Sequence, residues 1–200
     1  GTEFRTGVNV GIDVTADELR EQFDALVLAV GATAARDLPI PGRELRGVHQ
    51  AMEYLPWSNR VQEGDLAAEA TPINAAGKDV IIIGGGDTGA DCLGTAHRQG
   101  AASIHQFEIM PRPPEHRSQT NPWPTFPMTY KVTSAHEEGG DRVYSVNTEA
   151  FLGDDEGNLT ALRFHHVEAS LVDGRPTFSR VEGSDTDLPA QLVLLAMGFT

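Results

Sequence analysis

The sequence predicts an α/β protein in which helices cover a parallel sheet and an antiparallel β-meander is added to that sheet. Three observations lead to this prediction. Residues 79–112 follow a strand–turn–helix–strand pattern. Residues 23–30 and 191–197 are short apolar runs, each ending in Ala-x-Gly, and such runs are typical of strands buried on both faces. Residues 142–181 alternate strand-like stretches with turn sequences.

The first quarter of the chain predicts strands but no complete sheet. Alternating apolar residues over 8–14 indicate a half-exposed strand, and Thr15–Glu18 has the spacing of a capping box that begins a short helix. Residues 23–30 predict a buried strand. The prolines of segment 38–42 favour an extended crossover, and residues 48–62 predict a helix that Pro56 should bend or end.

The central motif is a glycine-rich turn between a strand and a helix. Val80–Ile83 is a β-branched apolar run, and Gly84, Gly86 and Gly89 follow it at G-x-G-x-x-G spacing. A helix-length segment and a second apolar run, Ile104–Met110, complete a parallel β-α-β unit. In this context the motif predicts a dinucleotide site, and the alternative is a plain structural turn.

Each glycine has a chemical reason. The first allows a tight turn, the second lets the backbone approach a pyrophosphate, and the third lets the helix pack on the sheet. The amides that open the helix should then face the phosphates. Because a carboxylate repels phosphate, we expect Asp87 to position the turn and Thr88 to lie nearer the phosphates. The predicted residues are Gly84, Gly85, Gly86, Asp87, Thr88 and Gly89.

The choice between NAD and NADP depends on three charged residues after the glycine turn. Glu108, at the end of the second strand, could hold a ribose 2′-hydroxyl, as in NAD sites. Arg112 and Arg117 follow it closely, and guanidinium groups suit the 2′-phosphate of NADP. Two arginines in a chain poor in positive charge favour NADP. The alternative is that both arginines are solvated loop charges.

The remaining segments add a loop and more strands. Segment 111–127 contains six prolines and should form a covering flap. We expect Trp123 and Phe126 to pack on the helix below, and the alternative is that they stack on a nicotinamide or flavin. Segment 129–138 predicts a short helix ended by two glycines. The strand-like stretches 142–152, 159–168 and 176–181 predict the antiparallel meander.

Composition excludes several classes of function. The net charge is −14, with 29 acidic against 15 basic side chains, which argues against nucleic-acid and anionic-membrane partners. A single cysteine excludes a disulfide framework and an iron–sulfur cluster held by this chain alone. No stretch approaches the roughly 18 apolar residues of a membrane span, and no signal peptide is recognised. We therefore expect a cytoplasmic protein.

No metal site and no catalytic residue are predicted. His165 and His166 are adjacent in a strand and point to opposite faces, so they do not readily bind one metal. Cys92 lies among small apolar residues of the predicted helix, which indicates a buried hydrophobe rather than a nucleophile. The absence of an evident acid, base or nucleophile agrees with hydride transfer, in which cofactors carry the bond chemistry.

Seven stretches carry a resemblance to a known family. The chain resembles the small (β) subunit of NADPH-dependent glutamate synthase and, more widely, the flavoproteins with two dinucleotide-binding domains. The stretches are residues 28–33 (LAVGAT), 51–55 (AMEYL), 84–92 (GGGDTGADC), 107–114 (FEIMPRPP), 121–124 (NPWP), 134–139 (SAHEEG) and 194–199 (LLAMGF).

The resemblance implies a Rossmann-like, FAD/NAD(P)-binding three-layer fold in a fragment of a larger flavoprotein. In this family the NADPH domain is inserted in the FAD domain. The implied division is a partial FAD-binding domain at 1–42, an NADPH-binding domain at 43–190 and a return strand to the FAD-binding domain at 191–200. Gly31 and Gly198 would be flavin-side contacts, and the glycine turn with Arg112 and Arg117 would hold NADPH.

The resemblance also implies a chemistry. The family passes electrons from NADPH through FAD and 4Fe-4S clusters to a large (α) subunit, which combines glutamine-derived ammonia with 2-oxoglutarate. The chain lacks the family's cluster cysteines, its first FAD glycine loop and its last flavin segment. We therefore expect it to bind NADPH, to hold FAD incompletely and to be inactive alone. The alternatives are a related reductase of dihydropyrimidine dehydrogenase or ferredoxin–NADP reductase type, and a non-catalytic nucleotide-binding module.

Overall fold

The computed structural model describes residues 1–67 and 70–200, and it divides them into two compact units. The units are Gly1–Thr33 and Ala34–Thr200. The division at 1–42, 43–190 and 191–200 that the resemblance implies stays a prediction. Residues 68 and 69, inside the implied NADPH-binding domain, lie outside the described residues.

The first unit contains one helix, α1 (Ala16–Gln22). The predicted capping box is confirmed: the Thr15 amide donates to Glu18 Oε2 at 2.8 Å, and the Glu18 amide donates to Thr15 Oγ1 at 3.2 Å. These bonds satisfy two of the amides that the first turn of a helix leaves without partners.

Both strands predicted in the first unit are wrong. Segment 8–14 forms turns with one isolated bridge, and segment 23–30 has no regular structure. Val27 and Leu28 are 90% and 84% exposed, so this apolar run is not buried within its unit. A strand requires a neighbour for its backbone hydrogen bonds, and no strand within the described residues pairs with segment 23–30.

The second unit is built on a five-stranded parallel sheet with the order β1-β9-β2-β3-β4, which confirms the predicted parallel α/β class. Its strands are β1 (Val48–Gln50), β2 (Asp79–Ile83), β3 (Ser103–Glu108), β4 (Asp141–Tyr144) and β9 (Leu192–Leu195). Its helices are α2 (Ala51–Gln62), α3 (Asp87–Arg98) and α4 (Ser134–Glu137). The predicted β-α-β unit is present as β2-α3-β3. Since β9 lies between β1 and β2, the run at 191–197 is a central strand of this same sheet.

Alternation along the parallel strands produces a core on each face of the sheet. Val80 and Ile82 pack with residues of α2 and α3, whereas Ile81 packs with residues of the antiparallel sheet. All three side chains are fully buried. The order of layers is therefore helices, parallel sheet, antiparallel sheet, as a run of consecutive apolar residues requires.

The second sheet is antiparallel and confirms the predicted meander through its three successive strands. It consists of β5 (Val146–Gly153), β6 (Leu159–Val172), β7 (Arg175–Arg180) and β8 (Thr186–Pro189), with β6 paired to the other three. The single strand expected at 142–152 is wrong, because Ser145 breaks it at φ 56°. That left-handed turn leaves β4 in the parallel sheet and begins β5 in the other.

The helix predicted at 48–62 begins three residues late. Val48–Gln50 instead pairs with β9 as an edge strand, and α2 starts at Ala51. Pro56 lies inside α2 without ending it. The carbonyl that a proline deprives of its helical donor belongs to Met52, a residue that is 48% exposed.

The proline-rich segment 111–127 contains no helix or strand, as its composition predicts. The expectation that its aromatic residues pack on a helix is wrong, because Trp123 and Phe126 are 83% and 73% exposed. α4 lies within the predicted 129–138 helix but is only four residues long. Among the helices of the described residues, none combines the length and apolar character needed to cross a membrane.

Candidate functional site

A cavity of about 650 Å³ lies where β2, β3 and β9 end at their carboxyl termini. This edge of a parallel sheet is where α/β proteins bind their ligands. Six residues predicted for cofactor binding line the cavity: Gly84, Gly85, Gly86, Asp87, Thr88 and Gly198. Four others, Gly31, Gly89, Arg112 and Arg117, are not among its lining residues.

Two glycines of the turn have no room for a side chain. Gly84 has φ +128°, and a Cβ there would overlap the carbonyl oxygen of Ala196 at the end of β9. A Cβ at Gly89 would overlap the Gly84 carbonyl oxygen and lie 2.6 Å from Gln106 Nε2. The tight turn off the strand and the close approach of helix to sheet therefore both require glycine.

The middle glycine has open space instead. Gly86 is the N-cap of α3, and a Cβ there would meet no atom within 4 Å. The first bond of this turn runs from the Ala90 amide to the Gly86 carbonyl at 3.0 Å, so the amides of residues 87–89 precede the intrahelical ladder. With the positive end of the helix dipole, this edge of the cavity suits a phosphate.

Glu108 is held against the glycine turn. Its Oε2 accepts from the Gly85 amide at 3.0 Å, and its Oε1 accepts from the Met110 amide at 2.9 Å. Each oxygen keeps a lone pair for a further donor. The carboxylate that lines the cavity can therefore accept a ribose hydroxyl, but it repels phosphate nearby.

The two predicted phosphate arginines make contacts within their own loop. Arg112 pairs with Glu115 at 2.5 Å, and its guanidinium carbon lies 4.1 Å from the centre of the Tyr130 ring. Arg117 donates to the carbonyl oxygens of Asn121 and Thr125 at 3.0 and 2.9 Å. Their role at a 2′-phosphate stays a prediction.

The two glycines expected beside flavin lie in different units. Gly198 lines the cavity with φ +87°, and its carbonyl accepts from the Arg36 amide at 3.0 Å. Gly31, with φ +68°, belongs to the first unit. Arg36 also lines the cavity and is the one cationic residue among the described lining residues.

A partly buried hydrogen-bond network behind the glycine turn has no signal in the sequence. Gln106 is 2% exposed and donates through Nε2 to the Gly84 carbonyl at 2.9 Å. Its Oε1 lies 3.0 Å from His136 Nε2, and the Thr133 amide donates to His136 Nδ1 at 3.2 Å. His136 therefore carries its proton on Nε2. Burial lowers the pKa of His136, and the positive charge of Arg142 lowers it further.

Cys92 and a polar cluster on the antiparallel sheet bear on the other predictions. Cys92 is fully buried, and burial raises the pKa of its thiol to about 12, as expected for a structural residue rather than a nucleophile.

Glu149, His165 and Asp185 bring possible metal-ligating atoms within 4.8 Å of one another. Arg180 already donates to both carboxylates of that cluster. The expected absence of a metal stays a prediction.

Comparison with known proteins identifies the relatives of this architecture. Residues 4–200 match the family model described as pyridine nucleotide-disulphide oxidoreductase. The chain is 66% identical over 202 residues to the glutamate synthase [NADPH] small chain of Mycobacterium tuberculosis strain H37Rv, covering 100% of this chain and 40% of the relative. It is 43% identical over 208 residues to the glutamate synthase [NADH] of Schizosaccharomyces pombe, covering 100% of this chain and 10% of the relative.

Solved structures show the same fold at low identity. FprA of Mycobacterium tuberculosis in complex with NADPH superimposes with a TM-score of 0.60 at 20% identity, over 96% of this chain and 54% of that one. Thioredoxin reductase of T. acidophilum gives a TM-score of 0.51 at 15% identity, over 84% and 42% of the two chains. Together with the parallel and antiparallel sheets, these matches confirm the predicted fold class.

Proposed function

The chain belongs to the pyridine nucleotide-disulphide oxidoreductase family, and we propose that it forms the NADPH-binding part of a glutamate synthase small chain. The observation that carries the proposal is the cavity at the carboxyl edge of the parallel sheet, bordered by the glycine turn and the first turn of α3. Identity of 66% to a glutamate synthase [NADPH] small chain supports the reaction class.

The residues present fit a dinucleotide. Of the three motif glycines, Gly84 and Gly89 are tightly packed, whereas Gly86 faces open space. A ligand can therefore approach the backbone at Gly86. The amides of residues 87–89 would hold the pyrophosphate, and Glu108 would accept a ribose hydroxyl. Asp87 and Thr88 lie at the same cavity wall, where we assign Asp87 to shaping the turn and Thr88 to contacting phosphate.

Bound NADPH supplies a hydride, and the family's flavin accepts it. The task of this chain is to bind and orient the nucleotide at the strand ends, with Gly198 and Arg36 on the cavity wall formed after β9 and before β1. We assign Gly31 and Gly198 to the flavin side and Arg112 and Arg117 to the 2′-phosphate.

The reaction of the whole protein extends this proposal. The chain spans about 40% of the length of the bacterial small-chain relatives it matches. We propose that electrons pass through FAD and iron–sulfur clusters of a longer protein to a large glutamate-forming subunit. The basis is that those relatives are small chains of glutamate synthase.

A calorimetric titration of the chain with NADPH and NADH tests the nucleotide-binding step. We expect one NADPH to bind per chain and NADH to bind more weakly, because only NADPH has a 2′-phosphate that can form charge-assisted hydrogen bonds. Free FAD added to the calorimeter cell should leave the binding isotherm of NADPH unchanged. Absence of heat with either nucleotide would refute the proposal.

A further inference from the structure

Two arginines and two tyrosines form a cluster at the outer edge of the parallel sheet. The guanidinium carbons of Arg112 and Arg142 lie 4.1 and 4.6 Å from the centre of the Tyr130 ring. Arg142 also lies 5.6 Å from the Tyr144 ring, which meets the Tyr130 ring edge to face. Stacking on aromatic rings holds the two cationic groups near each other despite their equal charge.

Strand register places one member of this cluster, Tyr144, a single strand away from the cavity-lining Glu108. β3 and β4 are parallel, with Gln106 opposite Arg142 and Glu108 opposite Tyr144. Arg142 and Tyr144 are two residues apart in β4, so their side chains lie on the same face of the sheet. Neither residue lines the cavity, but Tyr144 is the neighbour across the ladder of Glu108, which does.

The cluster holds unused capacity to bind an anion. Arg142 donates to the Lys131 carbonyl at 2.7 Å, and no carboxylate in the described part of the chain pairs with it. The Tyr144 hydroxyl is buried and has no hydrogen-bond partner among the described residues.

We propose that Arg142, with the Tyr144 hydroxyl, is a specificity-determining contact for the 2′-phosphate of NADPH, next to the arginines already predicted for it. This inference rests on the proposed function, since it concerns the same nucleotide. In a β-α-β dinucleotide site the ribose lies at the end of the second strand, which here is Glu108. A 2′-phosphate turned away from that carboxylate would face the neighbouring strand, where Arg142 and Tyr144 would supply donors.

The test compares ligands that differ only in the 2′-phosphate. The chain and its variants are titrated with NADPH, NADH, adenosine 2′,5′-bisphosphate and 5′-AMP. We expect R142Q to weaken NADPH and the bisphosphate by roughly 10- to 100-fold, the range of one charge-assisted bond, and to leave NADH and 5′-AMP within about twofold. Y144F should give a smaller loss in the same two ligands.

Two controls separate recognition from folding. R175Q removes an exposed arginine in β7 and should leave all four affinities unchanged. R142K keeps the charge without the forked donors, so we expect it to retain part of the preference for NADPH. Thermal unfolding of each variant monitors whether loss of the ring stacking destabilises the fold.

The outcomes distinguish this inference from the function beneath it. Equal losses of NADPH and NADH in R142Q, or no loss of either, would overturn the role of Arg142 while nucleotide binding itself stands. Binding of neither nucleotide by the unaltered chain would overturn both proposals. A loss confined to the two 2′-phosphorylated ligands supports the inference.

Discussion

The glycine turn and the proline-rich loop are the two regions that the sequence assigns to one nucleotide, and they are held in place very differently. The turn is locked by backbone contacts: Gly84 against β9, Gly89 against Gly84, and Gly85 bonded to Glu108. Segment 111–127 is irregular, and its aromatic residues are exposed. Arg117 bonds only to carbonyls within that segment among its described hydrogen bonds.

The difference shows what kind of information a motif carries. A glycine motif records backbone geometry, because close approach and left-handed conformation exclude other residues. An arginine in a loop indicates only that a long, positively charged side chain is present. Which group it binds depends on the conformation of the loop. The turn therefore presents its amides without rearrangement, whereas Arg112 and Arg117 would have to give up protein contacts to bind a phosphate.

The largest expected effect comes from filling the locked part of the turn. Gly84→Val should lower the free energy of unfolding by about 4 kcal/mol, because a β-branched residue is strained at this φ and its Cβ overlaps the Ala196 carbonyl. Urea unfolding monitored by circular dichroism measures the change. The matched control is Gly86→Val, at the open position of the same turn, where we expect less than about 1 kcal/mol.

The second expected effect is on binding rather than on stability: the substitution should leave the fold intact and weaken nucleotide binding. In Gly86→Val the added side chain occupies the open space where the backbone would meet the pyrophosphate. We expect NADPH affinity to fall by about 3 kcal/mol, the worth of one or two charge-assisted bonds. Calorimetry under conditions where the variant is folded measures it, and normal NADPH binding by this variant would refute the cradle.

The third effect concerns the loop. Replacing Arg112 and Arg117 together with alanine should weaken NADPH by about 2 kcal/mol and hardly change NADH, since the lost bonds reach only the 2′-phosphate. Stability should change little because both side chains lie in exposed surroundings. Equal weakening of the two nucleotides would argue against a 2′-phosphate role and leave the arginines as loop braces.

The smallest effect is a pH dependence behind the turn. Burial lowers the folded-state pKa of His136, so its contribution to stability is complete above the ordinary value of 6.5 and is lost as pH falls below it. The loss should stay under about 1 kcal/mol, since the ring is only partly shielded from solvent. Unfolding from pH 7.5 to 5 in the unaltered chain and in His136→Ala measures it. Parallel curves would exclude His136, because the lowered pKa of His49 contributes equally to both proteins.

Much of the fold could be predicted because strands that are buried on both faces appear in the sequence as continuous apolar runs. Ile81 and Ile82 face opposite cores, so their strand reads as a continuous apolar run. The same reasoning fails at Val27, which has an identical local pattern but no neighbouring strand within its unit. It also misses the break at Ser145, since a single left-handed residue leaves no pattern in apolar spacing.

The site divides in the same way. Local geometry at Gly84 and Gly89 could be predicted from spacing alone. Gln106 and His136 could not, because their bonds join residues 22 and 30 positions apart in the chain. Arg142, which we propose as a 2′-phosphate contact, has no sequence signal for the same reason, since only the pairing of β3 with β4 places it opposite Gln106.

The most direct measurement is a map of backbone amide chemical shifts in a ¹⁵N-labelled chain titrated with NADPH. If the glycine turn and the start of α3 hold the pyrophosphate, the largest shifts belong to residues 85–89, and they vanish in Gly86→Val. If the amide signals of residues 85–89 do not shift and the changes are concentrated on the antiparallel sheet, the result would contradict nucleotide binding at the carboxyl edge of the parallel sheet.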